Sequence, residues 1–221
     1  MVRRVQSALA APTIGIIGLG TGSLACYRRV GETWRFYEID PLVAAYAADG
    51  RFFGLVPNCA PDVPIVLGDA RLTLARETES RFDLLVIDAF SSDAIPIHLL
   101  TREAMVLYTQ RLTPGGVLAI HISNKYIDLR PVVAHLVADQ CLAARLGVKT
   151  ENAVAADGTP LPHASSASMW VAIAVHADTL DRLALGERWP ALPIPPGGQV
   201  WTDDYSNLLE IIRWGGLDIE K

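Results

Sequence analysis

Thr13-Ile-Gly-Ile-Ile-Gly-Leu-Gly-Thr-Gly-Ser-Leu-Ala25, followed by Trp34-Arg-Phe-Tyr-Glu-Ile-Asp40, is the stretch that decides the fold. Ile14, Ile16 and Ile17 form a β-branched apolar run that stops at Gly18-Leu19-Gly20-Thr21-Gly22. Ser23, Leu24 and Ala25 then begin a helix-like pattern that reaches about Val30. A second apolar strand, Thr33 to Ile39, carries Glu38 near its tip and is followed by Asp40. Strand, glycine loop, helix, strand and acid make up the first half of a nucleotide-binding α/β sheet. Glycine lets the backbone turn tightly and come close to a ligand, because no Cβ blocks the approach. The spacing is Gly-x-Gly-x-Gly, not the dinucleotide pattern Gly-x-Gly-x-x-Gly, since Leu24 and Ala25 stand where later glycines would be.

Working outward, the same alternation repeats. Pro41 opens a helix at its first turn, where a missing N–H costs nothing. Arg51 to Pro61 reads as irregular, and Val63 to Leu67 as a strand closing on Gly68-Asp69-Ala70. Phe82 to Ile87 is almost continuously apolar, as expected of a parallel strand covered on both faces, and it closes on Asp88. Thr101 caps a helix to Leu112, and Val117 to Ile122 is the fifth strand. A helix is expected from Pro131 to Leu146, then strands over Val148 to Val154 and Met169 to Val175. The Gly/Pro/Ser/His-containing segment Ala156 to Ser168 is expected to be a mobile surface loop, and Asp204 to Ile212 a final helix.

Five strands alternating with helices imply a doubly wound parallel sheet. The two closing strands make the last one antiparallel. The expected architecture is therefore an α/β, doubly wound, Rossmann-like sheet of seven strands, of the S-adenosylmethionine-dependent methyltransferase type. Residues 1–221 read as one nucleotide-binding domain, without internal repeat or linker.

Composition narrows the function. The net charge of −5 argues against a general nucleic-acid binder, which needs a basic face. No run approaches the ~20 apolar residues of a membrane span. The N-terminus lacks the long apolar core of a signal peptide, so the default location is the cytoplasm. The three cysteines, Cys26, Cys59 and Cys141, have no Cys-x-x-Cys spacing. Cys26 and Cys141 fall in helical patterns and read as small core hydrophobes, with neither a disulfide framework nor a zinc site expected. The five histidines lack metal-site spacings, and His121, within a strand, reads as a hydrogen-bonded core residue.

Acids follow successive strand tips. Ligands in such sheets bind beyond the carboxyl ends of the strands, where strand order reverses. Glu38 is placed to hold a ribose. Asp69, followed by the small Ala70, is placed to accept from an adenine amino group. Asp88 faces the reactive end, with Asp93 in the loop after it. Trp201-Thr-Asp-Asp-Tyr205 combines aromatic rings with Asp203 and Asp204, which suits a cationic amine. The competing reading is that Thr202 or Asp203 caps the last helix.

The run Ile87-Asp-Ala-Phe-Ser-Ser-Asp-Ala-Ile-Pro-Ile-His-Leu-Leu-Thr101 makes the pattern specific. With Gly18 to Gly22, Tyr37-Glu-Ile-Asp-Pro41, Leu67-Gly-Asp-Ala-Arg71 and His121-Ile-Ser-Asn124, the chain resembles the spermidine synthase (polyamine aminopropyltransferase) family over about residues 12 to 146. The branch it most resembles is the spermidine-synthase-like domains often fused to membrane transporters. The resemblance implies a donor, decarboxylated S-adenosylmethionine, held by Gly18, Gly20, Thr21, Gly22, Glu38, Asp69 and Ala70. It implies that Asp88 binds and deprotonates the attacking amine, with Asp93, Asp204 and Tyr205 as further amine-binding candidates. No metal is implied, because the sulfonium leaves as a neutral thioether. Partners would be a small-molecule amine and a second copy of the chain in a homodimer.

Three departures from the family pattern keep other functions open. Thr21 stands where an aspartate is usual, Asp88 and Asp93 are more widely spaced than the family's two acids, and the small N-terminal β-domain that helps wall the amine pocket is expected to be missing. Gly-x-Gly-Thr-Gly is common in methyltransferases, so a methyltransferase using S-adenosylmethionine is the leading alternative. A nucleotide-binding pseudoenzyme is the other.

Overall fold

The computed structural model describes residues 1–79, 81–90, 96–149, 152–154, 160–165 and 167–212. Its elements in chain order are α1 (Val2–Ala8), β1 (Thr13–Ile17), β2 (Thr33–Glu38), α2 (Pro41–Ala48), α3 (Leu55–Cys59), β3 (Ile65–Leu67), α4 (Ala70–Arg76) and β4 (Phe82–Ile87). There follow α5 (Arg102–Gln110), β5 (Leu112–His121), α6 (Arg130–Asp139), β6 (Ala143–Lys149), β7 (Asn152–Val154), β8 (Pro160–Ser165), β9 (Ser168–Ala174) and α7 (Ala177–Arg182). Seven strands form one sheet in the order β3-β2-β1-β4-β5-β9-β6. The chain winds outward from β1 to β3, then returns to the other side of β1 with β4. Pairing is parallel from β3 through β5, and β9 is antiparallel to both neighbours. The expected fold class is therefore the one observed.

The sheet separates two apolar layers. On one face Leu74, Met105, Tyr108, Val133 and Leu136 of α4, α5 and α6 pack on Ile17, Leu85, Ile87 and Ile120. On the other, Val2, Val5, Ala44, Ala47, Val56 and Leu180 pack on Ile16, Val86, Ala119 and Ala172. Alternate residues of each strand serve opposite layers, as the pleat requires. No helix among the described residues is long and apolar enough to cross a membrane.

Several local expectations are corrected. The helix after the glycine loop is only a 3₁₀ turn, Ser23–Tyr27. A buried carboxylate ends it: Glu32 accepts hydrogen bonds from the Arg29 N–H, Gln6 and the Trp34 indole. The Arg51 to Pro61 stretch contains α3, which packs on that turn and brings Cys59 to Cys26 in a disulfide, with Cα atoms 4.8 Å apart. Cysteine spacing along the chain carried no trace of this non-local approach. Cys141 is exposed and not a core hydrophobe.

The helix expected to reach Leu146 stops at Asp139. Cys141 turns left-handed (φ 53°), and the Cys141 and Leu142 N–H groups bond back to Ala138 and Val137, closing a Schellman cap. This frees Ala143–Lys149 to form β6 at the sheet edge. The segment expected to be a mobile loop contains β8, which pairs antiparallel with β7. No helix spans Asp204 to Ile212; a 3₁₀ turn, Leu209–Ile211, is all that forms there.

Candidate functional site

Gly18 and Asp88 meet at the tips of β1 and β4, where strand order reverses. The Asp88 N–H donates to the Ile17 carbonyl and the Gly18 N–H to the Tyr37 carbonyl, both at bonding distances of 2.8 and 2.9 Å. Gly18 has φ +92°, and a Cβ there would lie 2.3 Å from the Asp88 carbonyl oxygen. Only glycine allows the two tips to approach so closely. A Cβ on Gly22 would lie 2.3 Å from the Val56 side chain, whereas one on Gly20 would meet nothing within 4 Å. The loop is thus clamped at both ends and open in the middle, and Thr21 is exposed beside Gly20.

Glu38, at the end of β2, is buried at 8% exposure. Its Oε2 accepts from the Leu19 N–H and its Oε1 from the Asp40 N–H, each at 3.0 Å. One carboxylate therefore ties the strand tip to the glycine loop. Each oxygen keeps a second lone pair with which to accept a ribose hydroxyl. Asp69 caps α4, accepting from the Leu72 N–H at 2.9 Å, and its other oxygen lies 3.1 Å from Nε2 of His98. Ala70 is buried in the first turn of that helix.

Asp88 has a partner that sequence reasoning undervalued. The register Ile87↔Ile120 places His121 of β5 beside it. Nδ1 of His121 lies 2.7 Å from Oδ1 of Asp88, and Nε2 lies 2.7 Å from the Ser123 hydroxyl. With Asp88 ionised, a carboxylate can only accept, so Nδ1 carries a proton; in the neutral imidazole Ser123 then donates to Nε2. The Ser123 oxygen in turn accepts from the Met169 N–H at 2.7 Å. The imidazole is further held by stacking on Trp170, with centroids 4.6 Å apart and planes at 15°. Among the described residues, Oδ2 of Asp88 has no protein partner. It is the oxygen available to a ligand. His121 was legible as a hydrogen-bonded strand residue, but its pairing with Asp88 depends on strand register, which the sequence pattern does not specify.

Asp93 lies in 91–95, outside the described residues. Trp201 to Tyr205 docks on the helices of the opposite face from Val86. Asp203 makes a two-pronged ion pair with Arg71, at 2.6 and 2.5 Å, and accepts from the Thr101 hydroxyl at 2.8 Å. It caps no helix, and the Thr202–Tyr205 pair closes a tight turn instead. Trp201 and Tyr205 join the apolar layer of α4 to α6, while Asp204 is exposed. Among the described residues, no three His, Cys, Asp or Glu side chains gather as a metal-binding group.

The Asp203 pair has a measurable consequence. The Arg71 guanidinium, by hydrogen bonding above all, holds the Asp203 carboxyl below its ordinary value of 3.8. Its contribution is present above that value and is lost as pH falls through the lower folded one. Asp203→Asn is expected to loosen 201–212 by about 1 kcal/mol, discounted for its half-exposed position. Trp201 fluorescence should shift to the red at neutral pH in the variant and only on strong acidification in the wild type. An unshifted variant would show that Asp203 does not hold the segment.

Fold and strand tips define an α/β protein of the seven-stranded class shared by spermidine synthases and S-adenosylmethionine-dependent methyltransferases. A scan against protein-family models finds no match. The chain is 36% identical over 108 residues to the polyamine aminopropyltransferase of Vibrio vulnificus, covering 47% of this chain and 35% of that protein. It is 28% identical over 130 residues to a probable polyamine aminopropyl transferase of Bifidobacterium longum, covering 53% and 27%. The chain thus spans about a third of the length of the curated relatives it matches.

Among solved structures, a probable spermidine synthase from Corynebacterium glutamicum superposes with a TM-score of 0.60 at 17% identity, over 94% of this chain and 80% of that one. A spermidine synthase in complex with the transition-state analogue AdoDATO gives 0.57 at 16% identity, over 88% and 64%. An O-methyltransferase from Bacillus cereus in complex with SAH gives 0.52 at 14% identity, over 78% of each. In sequence and in fold, the chain is spermidine synthase-like.

Proposed function

We propose that this chain binds an adenosyl sulfonium across the tips of β1, β2 and β4 and transfers an alkyl group from it to a primary amine. In the spermidine synthase-like form of the reading, the donor is decarboxylated S-adenosylmethionine and the group is aminopropyl. The acceptor is a small amine, of which polyamines are the instance named in the relatives, and the setting is the cytoplasm. The observation that carries the reading is Asp88, anchored through Oδ1 by His121 at the strand-order reversal, with Oδ2 unshared among the described residues.

An aliphatic amine is protonated near neutral pH, like a lysine side chain. Bound at Oδ2, it is oriented by the carboxylate and gives up a proton to it. The freed nitrogen lone pair attacks the carbon beside the sulfonium. A C–N bond forms, the C–S bond breaks, and the pair returns to sulfur, releasing a neutral thioether. Gly18, Gly20, Thr21 and Gly22 would hold the donor's reactive end, Glu38 its ribose, and Asp69 with Ala70 its adenine. Asp93 would serve the acceptor in the polyamine version, whereas Asp204 and Tyr205 follow Trp201 onto the opposite face from Val86 and are not assigned to it.

Thr21 in place of the family's aspartate favours a second reading, methyl transfer from S-adenosylmethionine. Product mass analysis separates the two. With a panel of primary amines that includes putrescine, and with both donors, the proposal expects an aminopropylated amine and methylthioadenosine from the decarboxylated donor. A methylated product from S-adenosylmethionine alone would transfer the assignment to methyltransferase, and no product from either donor would contradict both.

A further inference from the structure

A cavity of about 720 Å³ opens on the sheet face that carries Asp88 and His121. Val86 and Ala119 form part of its lining; His121, the next residue but one after Ala119 in β5, is on the same face and holds Asp88 across the 2.7 Å contact, so the pair stands beside the cavity and not in its lining. Trp170 is common to both, since it lines the cavity and stacks on His121. The volume suits a small molecule. Tyr27 and Trp189 add two more aromatic walls. The Trp189 ring lies against β6 only because residue 147 is glycine: a Cβ there would meet the ring at 2.5 Å.

The charged residues that line this space are Arg3, Lys149 and Arg188. No aspartate or glutamate lines it among the described residues, although the chain as a whole has a net charge of −5. Among the described residues none of the three cations has an ion-pair partner; Arg3 lies instead over the Tyr27 ring, 5.0 Å from its centroid. A polyamine reaching into the cavity would carry its distal ammonium toward like charges. An anionic group there would meet attraction, strengthened by the low-dielectric wall.

Resting on the transferase reading, we infer that the acceptor is a flat, aromatic amine with an acidic group at its far end. Its amine meets Asp88, its ring lies among Trp170, Tyr27 and Trp189, and its carboxylate reaches the cationic rim. Two probes share a ring and an aminomethyl group and differ only at the far end: 4-(aminomethyl)benzoate and 1,4-bis(aminomethyl)benzene. Calorimetric titration with and without saturating methylthioadenosine is expected to show the acid binding at least about tenfold tighter than the diamine. Lys149→Gln with Arg188→Gln should abolish that preference and leave methylthioadenosine affinity unchanged. Equal or tighter binding of the diamine, no binding of the acid, or an unchanged preference in the double variant would each overturn the inference. A protein that fails to bind methylthioadenosine would contradict the donor reading alone, because the titrations without nucleoside still report on the cavity.

Discussion

Replacing Asp88 by asparagine is expected to lower turnover by roughly 10²–10⁴-fold, the range for a lost general base, with donor affinity nearly unaltered. The substitution keeps the shape of the side chain and an oxygen that can accept from His121 Nδ1 across the 2.7 Å contact. What it removes is the negative charge that attracts an ammonium and the oxygen that accepts its proton. In the proposed reading donor binding rests on other groups: Glu38, the glycine loop and the cap of α4. Steady-state rates with a primary amine and methylthioadenosine titrations on the same preparation separate the two effects. Equal activity of Asp88→Asn and wild type would remove Asp88 from the chemistry even if the donor binds as proposed. In a methyltransferase acting on an acceptor that is already neutral, the loss would be much smaller.

Glu38→Ala is expected to cost nucleoside binding about 1.5–3 kcal/mol, the worth of hydrogen bonds to a charged group, or roughly ten- to 150-fold in affinity. In the proposed reading this residue has two tasks. It offers lone pairs where a ribose would lie, and it already holds the Leu19 and Asp40 N–H groups at 3.0 Å. Leu19 is itself buried at 6% exposure, so alanine leaves its N–H unsatisfied and frees the loop. Glu38→Gln retains an oxygen for one of these donors and is expected to fall between alanine and wild type. Titration with methylthioadenosine checks the series, and unchanged affinity in Glu38→Ala would place the ribose elsewhere.

The parts legible in the sequence share one physical property: they are local. The apolar runs ending at Gly18, Glu38, Leu67 and Asp88 mark strands because each run and its terminator lie together in the chain. Pro41 and Thr101 mark helix starts for the same reason, and Thr101 does cap α5 through the Ala104 N–H. What escaped the reading depends on distant partners. Cys26 meets Cys59 through the packing of a five-residue helix too short to show a period. His121 meets Asp88 through the register of β4 and β5. Asp203 resembled a helix cap, yet its partners Arg71 and Thr101 lie 132 and 102 residues away. The break at Cys141 was hidden because a left-handed non-glycine residue ends α6, where glycine would have announced the stop.

The central claim is that an adenosyl sulfonium binds where β1, β2 and β4 end. Its most direct test is a calorimetric titration of the wild-type chain with decarboxylated S-adenosylmethionine and with S-adenosylmethionine, each repeated in the presence of methylthioadenosine. The account predicts saturable binding of one molecule per chain, stronger for the decarboxylated donor and displaced by methylthioadenosine. No heat of binding from either donor, or binding that methylthioadenosine does not displace, would contradict it.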